Sequence, residues 1–278
     1  MSCWLPLDLE ARSLGDERLQ LHAGALALAS VAHALLPHAE DDAHTNFAVD
    51  ARGDTEVLAL RTWPLRQHPE QHASLAVADL ELRWHRGAEI AARLPLPGRT
   101  LAEAHAWADS TARRLCGAAV QPRRYEDLPP HPLFDGGAFT GDRTAARAEL
   151  GCWFANAAAL FGELATREPA LSPARVWPHH FDLGVLLPVT GTAAAATIGL
   201  GFSPGDSHYA EPYFYCSPYG ENAAALPPLS GPGEWHTTDF TSVIVTGTEL
   251  LAGGHPQRQA RAWLASALSA CRRVVGTG

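Results

Sequence analysis

Four blocks that contain histidine, aromatic or carboxylate side chains lie between residues 177 and 240 of this 278-residue chain. The segment contains the blocks WPHHFD from residue 177, SPGD from 203, EPYFY from 211 and WHT from 235. Imidazole and carboxylate groups together are the usual ligands of zinc or non-haem iron. An Asp that orients a His also makes that His a better general base near neutral pH. These blocks therefore predict the functional site.

The candidate residues fall into three overlapping sets. His180 and Asp182 are the predicted catalytic pair. A divalent metal is the cofactor that these residue types indicate, with His180, Asp182 and His236 as its predicted ligands. The predicted ligand-binding residues are His179, Asp206, His208, Glu211, Tyr213, Tyr215, Trp235 and His236. Three roles stay open for these residues: metal binding, metal-free catalysis or ligand binding, and a structural role in which a buried His bonds a neighbouring Asp. No HExxH or P-loop motif selects a reaction.

Alternation of side chains along strands places part of this set on one face of a sheet. On a strand from Arg175 to Leu187, His180 and Asp182 share a face with Gly184. On the next strand, Gly199 and Gly201 continue that face as a strip of glycines, which indicates close approach by a ligand or by a packed helix. The SPGD block at 203–206 predicts a tight turn that joins the second strand to the third.

Hydrophobic periodicity predicts similar element orders in the two halves of the chain. The first half is predicted to contain helices at 19–36 and 101–116 and strands at 44–50, 56–61, 73–84 and 89–94. The second half is predicted to contain helices at 144–166 and 256–275 and strands at 175–187, 194–203, 210–217 and 239–246. Sequential strands with short turns favour antiparallel sheets flanked by helices, an α+β fold. The shared order is interpreted as an internal duplication of a helix–four strands–helix unit, and chance similarity of alanine-rich helices is the alternative.

The predicted domain layout has three parts. Residues 1–120 form an N-terminal α+β half, residues 121–141 a Pro/Gly-rich connector, and residues 142–278 a C-terminal half that carries the candidate site. The two halves are compatible with one compact domain. The stretch from His33 to His44, with Glu40, Asp41 and Asp42, is interpreted as a solvated loop after the first helix rather than a metal site.

Composition limits the classes of binding partner and the cellular location that we expect for the protein. The formal charge of -9 and the pI near 5.8 argue against nucleic acid, which selects basic surfaces. The first residues lack the pattern of a signal peptide, and the apolar stretches are too short to span a membrane. Five scattered cysteines favour a reducing cytoplasm over a disulfide framework. The expected partner is a small molecule, and the sequence leaves the oligomeric state open.

Four ordered blocks resemble a bacterial family of unknown function, domain-of-unknown-function number 5996. The family carries PHHFDL, GFSPGD, EPYFY and WHT, which fall here on Pro178–Leu183, Gly201–Asp206, Glu211–Tyr215 and Trp235–Thr237. The family continues the last block with Glu-Gly-Trp, whereas this chain has Thr238, Asp239 and Phe240. The resemblance covers the C-terminal half, implies a soluble bacterial protein and supplies no activity.

Overall fold

The computed structural model describes residues 4–8, 10–50, 59–126, 128–190, 196–220 and 225–276. Helices accompany two antiparallel sheets, of five and six strands, so the predicted α+β class is confirmed. The chain divides into two units. The N-terminal unit contains Leu14–Ala155 and Arg175–Phe181; the C-terminal unit contains Met1–Ser13, Asn156–Ala174 and Asp182–Gly278. Among the described residues, no helix combines the length and apolarity needed to span a membrane.

The N-terminal unit is built on a five-stranded sheet in the order β1-β2-β3-β4-β5. Its strands are β1 Ala48–Asp50, β2 Ala59–Arg61, β3 Gln71–Ala76, β4 Glu81–Arg86 and β5 Glu89–Pro95. Its other elements are α1 Gly15–Leu35, α2 Leu101–Cys116, the first part of α3 Thr144–Ala165, the short strand β6 Arg175–Trp177, and two 3-10 turns at Ala43–Thr45 and Pro132–Asp135. The predicted 121–141 connector lies within this unit.

Local sequence explains the ends of α2, and the absence of a side chain at one glycine explains how close α1 lies to the sheet. Helix α2 begins at a capping box between Thr100 and Glu103 and ends at Gly117, which takes the left-handed conformation, so both predicted ends are confirmed. Helix α1 lies close to the sheet because Gly24 has no Cβ. A Cβ there would come within 3.2 Å of the Leu75 side chain and 3.1 Å of that of Leu96.

The C-terminal unit contains five strands of the six-stranded sheet, in the order β10-β11-β9-β8-β7. The strands are β7 Asp182–Val189, β8 Ala196–Ser203, β9 Tyr213–Tyr219, β10 Glu234–His236 and β11 Ser242–Thr246, followed by α4 Gly247–Ala252 and α5 Pro256–Val274. Helix α5 packs on one face of the sheet, where Trp263 contacts Phe214 with ring centroids 5.6 Å apart. Tyr213 and Tyr215 alternate with Phe214 along β9, so they belong to the opposite face.

Two predicted strands are wrong because each contains a turn. The predicted strand 73–84 is a hairpin of β3 and β4, with Leu80 at a φ of 50° in the connecting turn. The predicted strand 175–187 stops at Trp177 and resumes at Asp182. Phe181 has a φ of 56° and donates its backbone N–H to the Trp177 carbonyl, which closes the turn between them.

Other differences concern element number. Strand β10 and helix α4 were not predicted, and the sheets contain five and six strands rather than four in each half. Residues 56–58 and 194–195, the first residues of two predicted strands, lie outside the described residues. The internal duplication stays a prediction, because the shared order of helix, strands and helix does not establish it.

Candidate functional site

The Pro-His-His-Phe block forms a turn that is held by a buried histidine in the N-terminal unit. His22 on α1 donates from Nε2 to the Pro178 carbonyl at 2.8 Å, and its ring stacks on Phe181 with centroids 5.3 Å apart. Burial lowers the pKa of His22 to about 4, so this imidazole is neutral at neutral pH. His179 and His180 lie in the turn and are exposed. The predicted position of His180 on a strand beside Asp182 is therefore wrong.

The glycine strip is covered by tyrosine rings from the adjacent strand. Gly201 on β8 pairs with Tyr215 on β9, and a Cβ at Gly201 would lie 2.2 Å from Tyr215 Cζ. Similarly, a Cβ at Gly199 would lie 2.8 Å from Tyr219 Cε2. The strip therefore accommodates neighbouring aromatic rings, whereas the sequence had suggested a ligand or a helix. From its place above Gly201, the Tyr215 hydroxyl donates to Asp182 Oδ2 at the start of β7.

Asp206 organises the turn between β8 and β9. Its Oδ1 accepts the backbone N–H groups of His208 and Tyr209 at 2.8 and 2.9 Å, and its Oδ2 accepts the Tyr213 hydroxyl at 2.5 Å. Gly205 has a φ of 112°, as a turn glycine requires, so the predicted turn is confirmed. Burial and the Asp206 charge raise the pKa of Tyr213, which keeps its hydroxyl protonated.

The Trp-His-Thr block is also held by internal hydrogen bonds. His236 accepts the Tyr209 hydroxyl at Nδ1, 2.9 Å away, and donates from Nε2 to the Thr238 carbonyl at 2.6 Å. Both ring nitrogens therefore have protein partners. Trp235 donates from Nε1 to the Pro227 carbonyl at 2.8 Å. His208 is exposed, with its ring centroid 5.6 Å from that of His236.

Glu211 stabilises the start of α4. Its side chain is buried, with Oε2 accepting the Thr248 backbone N–H at 2.7 Å and Oε1 accepting Arg12 Nε at 3.1 Å. A carboxylate at a helix N-terminus satisfies an N–H that has no partner within the helix. The carboxylate therefore has a structural function in the unit.

These contacts limit the chemistry of the predicted set. Burial, followed by the charge of Asp182, raises the pKa of Tyr215 well above its ordinary value, so this hydroxyl is a proton donor rather than a base. His180 belongs to the N-terminal unit, while Asp182 and His236 belong to the C-terminal unit. The catalytic and metal assignments of these residues stay predictions.

A different group of side chains has the geometry of a metal site. His38, Asp42 and His44 bring one ligand atom each to within 4.8 Å of one another, the one such group of three or more His, Cys, Asp or Glu residues within the described ranges. His38 and Asp42 lie on the loop after α1, and His44 lies in the 3-10 turn that follows. His44 is buried and His38 is exposed, so the group lies at the protein surface.

Arg123 and His33 complete the polar cluster. Arg123 donates from Nη1 to Asp42 Oδ1 at 3.0 Å and from Nη2 to Oδ2 at 2.6 Å, a bidentate ion pair. Its Nη1 also donates to His33 Nδ1 at 3.2 Å, so that nitrogen is an acceptor. His44 Nε2, 3.0 Å from the same atom, must therefore be the donor. His44 Nδ1 accepts the Ala39 backbone N–H at 3.2 Å.

Protonation states in the cluster suit a cation. Burial lowers the pKa of His33 and of His44, which favours neutral imidazoles at neutral pH. The hydrogen bond from Arg123 lowers the pKa of Asp42, which keeps that carboxylate ionised. Metal ligands must be deprotonated in this way.

Among the cavities on the described part of the surface, two lie away from this cluster and have no predicted site residue in their lining. One, of about 720 Å³, is bounded by the end of α3 and by α5 in the C-terminal unit. Its acidic groups already pair with its arginines, Glu163 with Arg261 at 2.6 Å and Glu168 with Arg272 at 2.7 Å. The other, of about 200 Å³, contains Leu36, Leu65 and Cys116 in the N-terminal unit.

Comparison of the chain with protein-family models, with curated proteins and with solved structures gives no match in any of the three. The resemblance to family number 5996 therefore stays a prediction based on its four sequence blocks.

The sequence interpretation missed the cluster around Asp42 for an identifiable reason. The spacing of His38, Asp42 and His44 matches no dedicated motif, and a loop rich in charged residues is usually solvated. The residue that fixes Asp42 is Arg123, which lies 81 positions away along the chain. The one available signal was the density of imidazoles between His33 and His44.

Proposed function

We propose that the protein binds a divalent transition metal ion through His38, Asp42 and His44 of its N-terminal unit. The observation that supports this function is the approach of two imidazoles and one carboxylate to within 4.8 Å of one another. Two His and one carboxylate form a set found in zinc enzymes and in non-haem iron oxygenases. Three protein ligands leave at least one coordination position for water or a small molecule.

The groups around the three ligands support the same proposal. A metal-bound imidazole usually donates its second ring N–H to an acceptor, which fixes its orientation. His44 already donates Nε2–H to His33, so Nδ1 is the atom it would offer to the ion, in exchange for the Ala39 N–H. Arg123 holds the Asp42 carboxylate from the other side. His44 and Asp42 are thus each oriented by a partner outside the coordination sphere.

An open coordination position makes metal-assisted chemistry on a small molecule our first candidate activity. A bound ion would polarise an oxygen of that molecule or lower the pKa of a bound water. The alternative is a non-catalytic ligand-binding or regulatory domain. Internal hydrogen bonds of Asp182, Asp206, Glu211 and His236 favour a structural role for the C-terminal residues under either alternative.

The metal proposal is tested by calorimetric titration of the chelator-treated protein with zinc chloride. We expect one ion per chain and at least about a tenfold loss of affinity in Asp42→Asn and His44→Ala, because each removes a ligand. Asp42→Asn is the sharper variant, since Asn keeps the shape and tolerates the φ of 60° at this position. Glu40→Gln is the matched control, because it removes an equal charge from an exposed position of the same loop.

Two results would contradict this function. One is the absence of saturable zinc binding in the wild type, and the other is unchanged affinity in Asp42→Asn. Hydrolysis or oxidation of a small molecule that requires the ion would favour the enzyme, and binding without turnover would favour the regulatory domain.

The remaining parts of the proposal come from the sequence. Membership in the bacterial family number 5996 and bacterial origin rest on the four matching blocks, and a cytoplasmic location rests on the scattered cysteines. We expect a small-molecule partner rather than nucleic acid or a membrane. The acidic composition disfavours nucleic acid, and the three proposed ligands form a site of small-molecule size.

A further inference from the structure

We infer that the metal-loaded cluster binds a small carboxylate, which bridges the ion and the guanidinium of Arg123. This inference rests on the metal function proposed above and names the class of ligand that the same site takes. It follows from the hydrogen bonds of Arg123, from the charge of the loaded site and from the exposure of its rim.

Arg123 uses only one edge of its guanidinium on Asp42. Nη1 and Nη2 each donate one hydrogen bond to the Asp42 carboxylate. The second Nη1 hydrogen is donated to His33. The side edge formed by Nε–H and the second Nη2–H has no acceptor among the residues that the structure describes. Two parallel N–H groups on one edge match the two oxygens of a carboxylate.

Arg123 is itself held in place, so this edge is preorganised. Its backbone N–H donates to Ser30 Oγ of α1 at 3.1 Å, and its guanidinium lies 5.3 Å from the centre of the Tyr125 ring. Its side chain is 22% exposed, which leaves room for a ligand to approach. Exposed His38 lies on the same cluster and marks the open side of the proposed ion site.

Charge selects an anion for the open coordination position. Asp42 and Arg123 carry opposite unit charges and cancel, and the His ligands bind as neutral imidazoles. A divalent ion would therefore leave two uncompensated positive charges in a partly buried cluster. A carboxylate placed between the ion and Arg123 neutralises one of them and satisfies the free N–H edge, whereas a neutral alcohol does neither.

The test uses the cobalt-substituted protein, because the visible absorption of Co²⁺ responds to a new ligand. Glycolate is the probe, and ethylene glycol is its uncharged counterpart. We expect glycolate to change the spectrum saturably and ethylene glycol to leave it unchanged. Arg123→Met should bind cobalt more weakly, because Asp42 loses its partner, so it is compared with the wild type at saturating cobalt. Under that condition it should bind glycolate at least about tenfold more weakly, because the bidentate partner is lost. Arg124→Met removes the same charge at the neighbouring exposed position and should behave like the wild type.

The outcomes separate the two proposals. If cobalt gives no protein-bound spectrum, the metal function itself is wrong. If cobalt binds but glycolate leaves the spectrum unchanged, strips the ion, or binds Arg123→Met as tightly as the wild type, the carboxylate inference is overturned and the metal function stands. Arg123→Lys keeps the charge near Asp42 without the bidentate edge. Arg123→Lys should also bind glycolate more weakly than the wild type. It replaces Arg123→Met in the test if circular dichroism shows that the Met variant does not fold.

Discussion

Tyr215 reaches across a neighbouring strand to donate its hydroxyl to Asp182. The ring leaves β9, covers Gly201 on β8 and ends at the first residue of β7, so one side chain connects three strands. This contact explains three conspicuous features of the sequence together: the Asp that follows His-His-Phe, the glycines of β8 and the tyrosines of β9. It favours a structural explanation of these residues within the C-terminal unit.

Removing the Tyr215 hydroxyl should destabilise the protein. Tyr215→Phe leaves a half-buried carboxylate without one of its partners, and we expect a loss of about 1–3 kcal/mol in the free energy of unfolding. Urea denaturation measures the loss. Tyr219→Phe is the control, because Tyr219 is 53% exposed and should change stability by less than about 0.5 kcal/mol. Equal stability of the two variants would show that the hydrogen bond contributes nothing.

Alanine should have opposite effects at two glycines. Gly201→Ala places a Cβ 2.2 Å from Tyr215 Cζ, so the ring must move, and we expect a cost of about 1–3 kcal/mol. Gly162 lies in α3 with nothing within 4 Å of a Cβ, and Gly162→Ala should stabilise by about 0.5–1 kcal/mol through helix propensity. Thermal unfolding should show a lower melting temperature for Gly201→Ala and a higher one for Gly162→Ala than for the wild type. A neutral Gly201→Ala would mean that the tyrosine is not confined above β8.

The buried ion pair of the N-terminal unit should be sensitive to loss of one partner. Arg147 donates to Glu17 at 2.7 Å, and both side chains are almost inaccessible to solvent. Arg147→Met leaves Glu17 as an uncompensated buried charge and should cost about 3–5 kcal/mol. The exposed Arg114→Met is the control. The double variant Glu17→Met, Arg147→Met should be more stable than Arg147→Met alone, since neither charge is then buried. The opposite order would argue against this explanation.

Acid should destabilise the fold through His22. Its pKa is about 4 in the folded protein and 6.5 when exposed, so the unfolded chain takes up the proton first as the pH falls. The lost stability develops between these two values and approaches about 3 kcal/mol below them. His22→Gln should remove this part of the pH dependence. Urea unfolding at pH 7 and at about pH 4.5 would show it, and an equal loss in both proteins would contradict the role of His22.

Periodicity and turn chemistry predicted the fold class because their signals are local. Helix α2 carries its start at Thr100 and its end at Gly117 in adjacent residues, and the SPGD turn carries its own Pro and Gly. The turn before Asp182 was missed because Phe181 takes a left-handed φ that its residue type disfavours. The contact that stabilises it comes from His22, far away along the chain.

Prediction of the site also depended on whether a signal lay in adjacent residues or came from contacts between distant ones. The C-terminal blocks were selected by residue type, whereas their mutual hydrogen bonds depend on strand register, which places Tyr215 beside Gly201. The polar cluster around Asp42 was not predicted, because Arg123, which pairs with Asp42, comes from the segment interpreted as a connector. Density of reactive residue types alone therefore does not separate a site from a hydrogen-bonded fold.

The most direct test of the metal function is X-ray absorption at the zinc edge of the zinc-loaded protein. We expect a first shell at about 2.0–2.1 Å with the outer-shell signal of two imidazoles and one carboxylate. We also expect the loss of one imidazole contribution in His38→Ala. A shell of light atoms without imidazole scattering, or an identical spectrum in His38→Ala, would show that zinc binds elsewhere and would contradict the central claim.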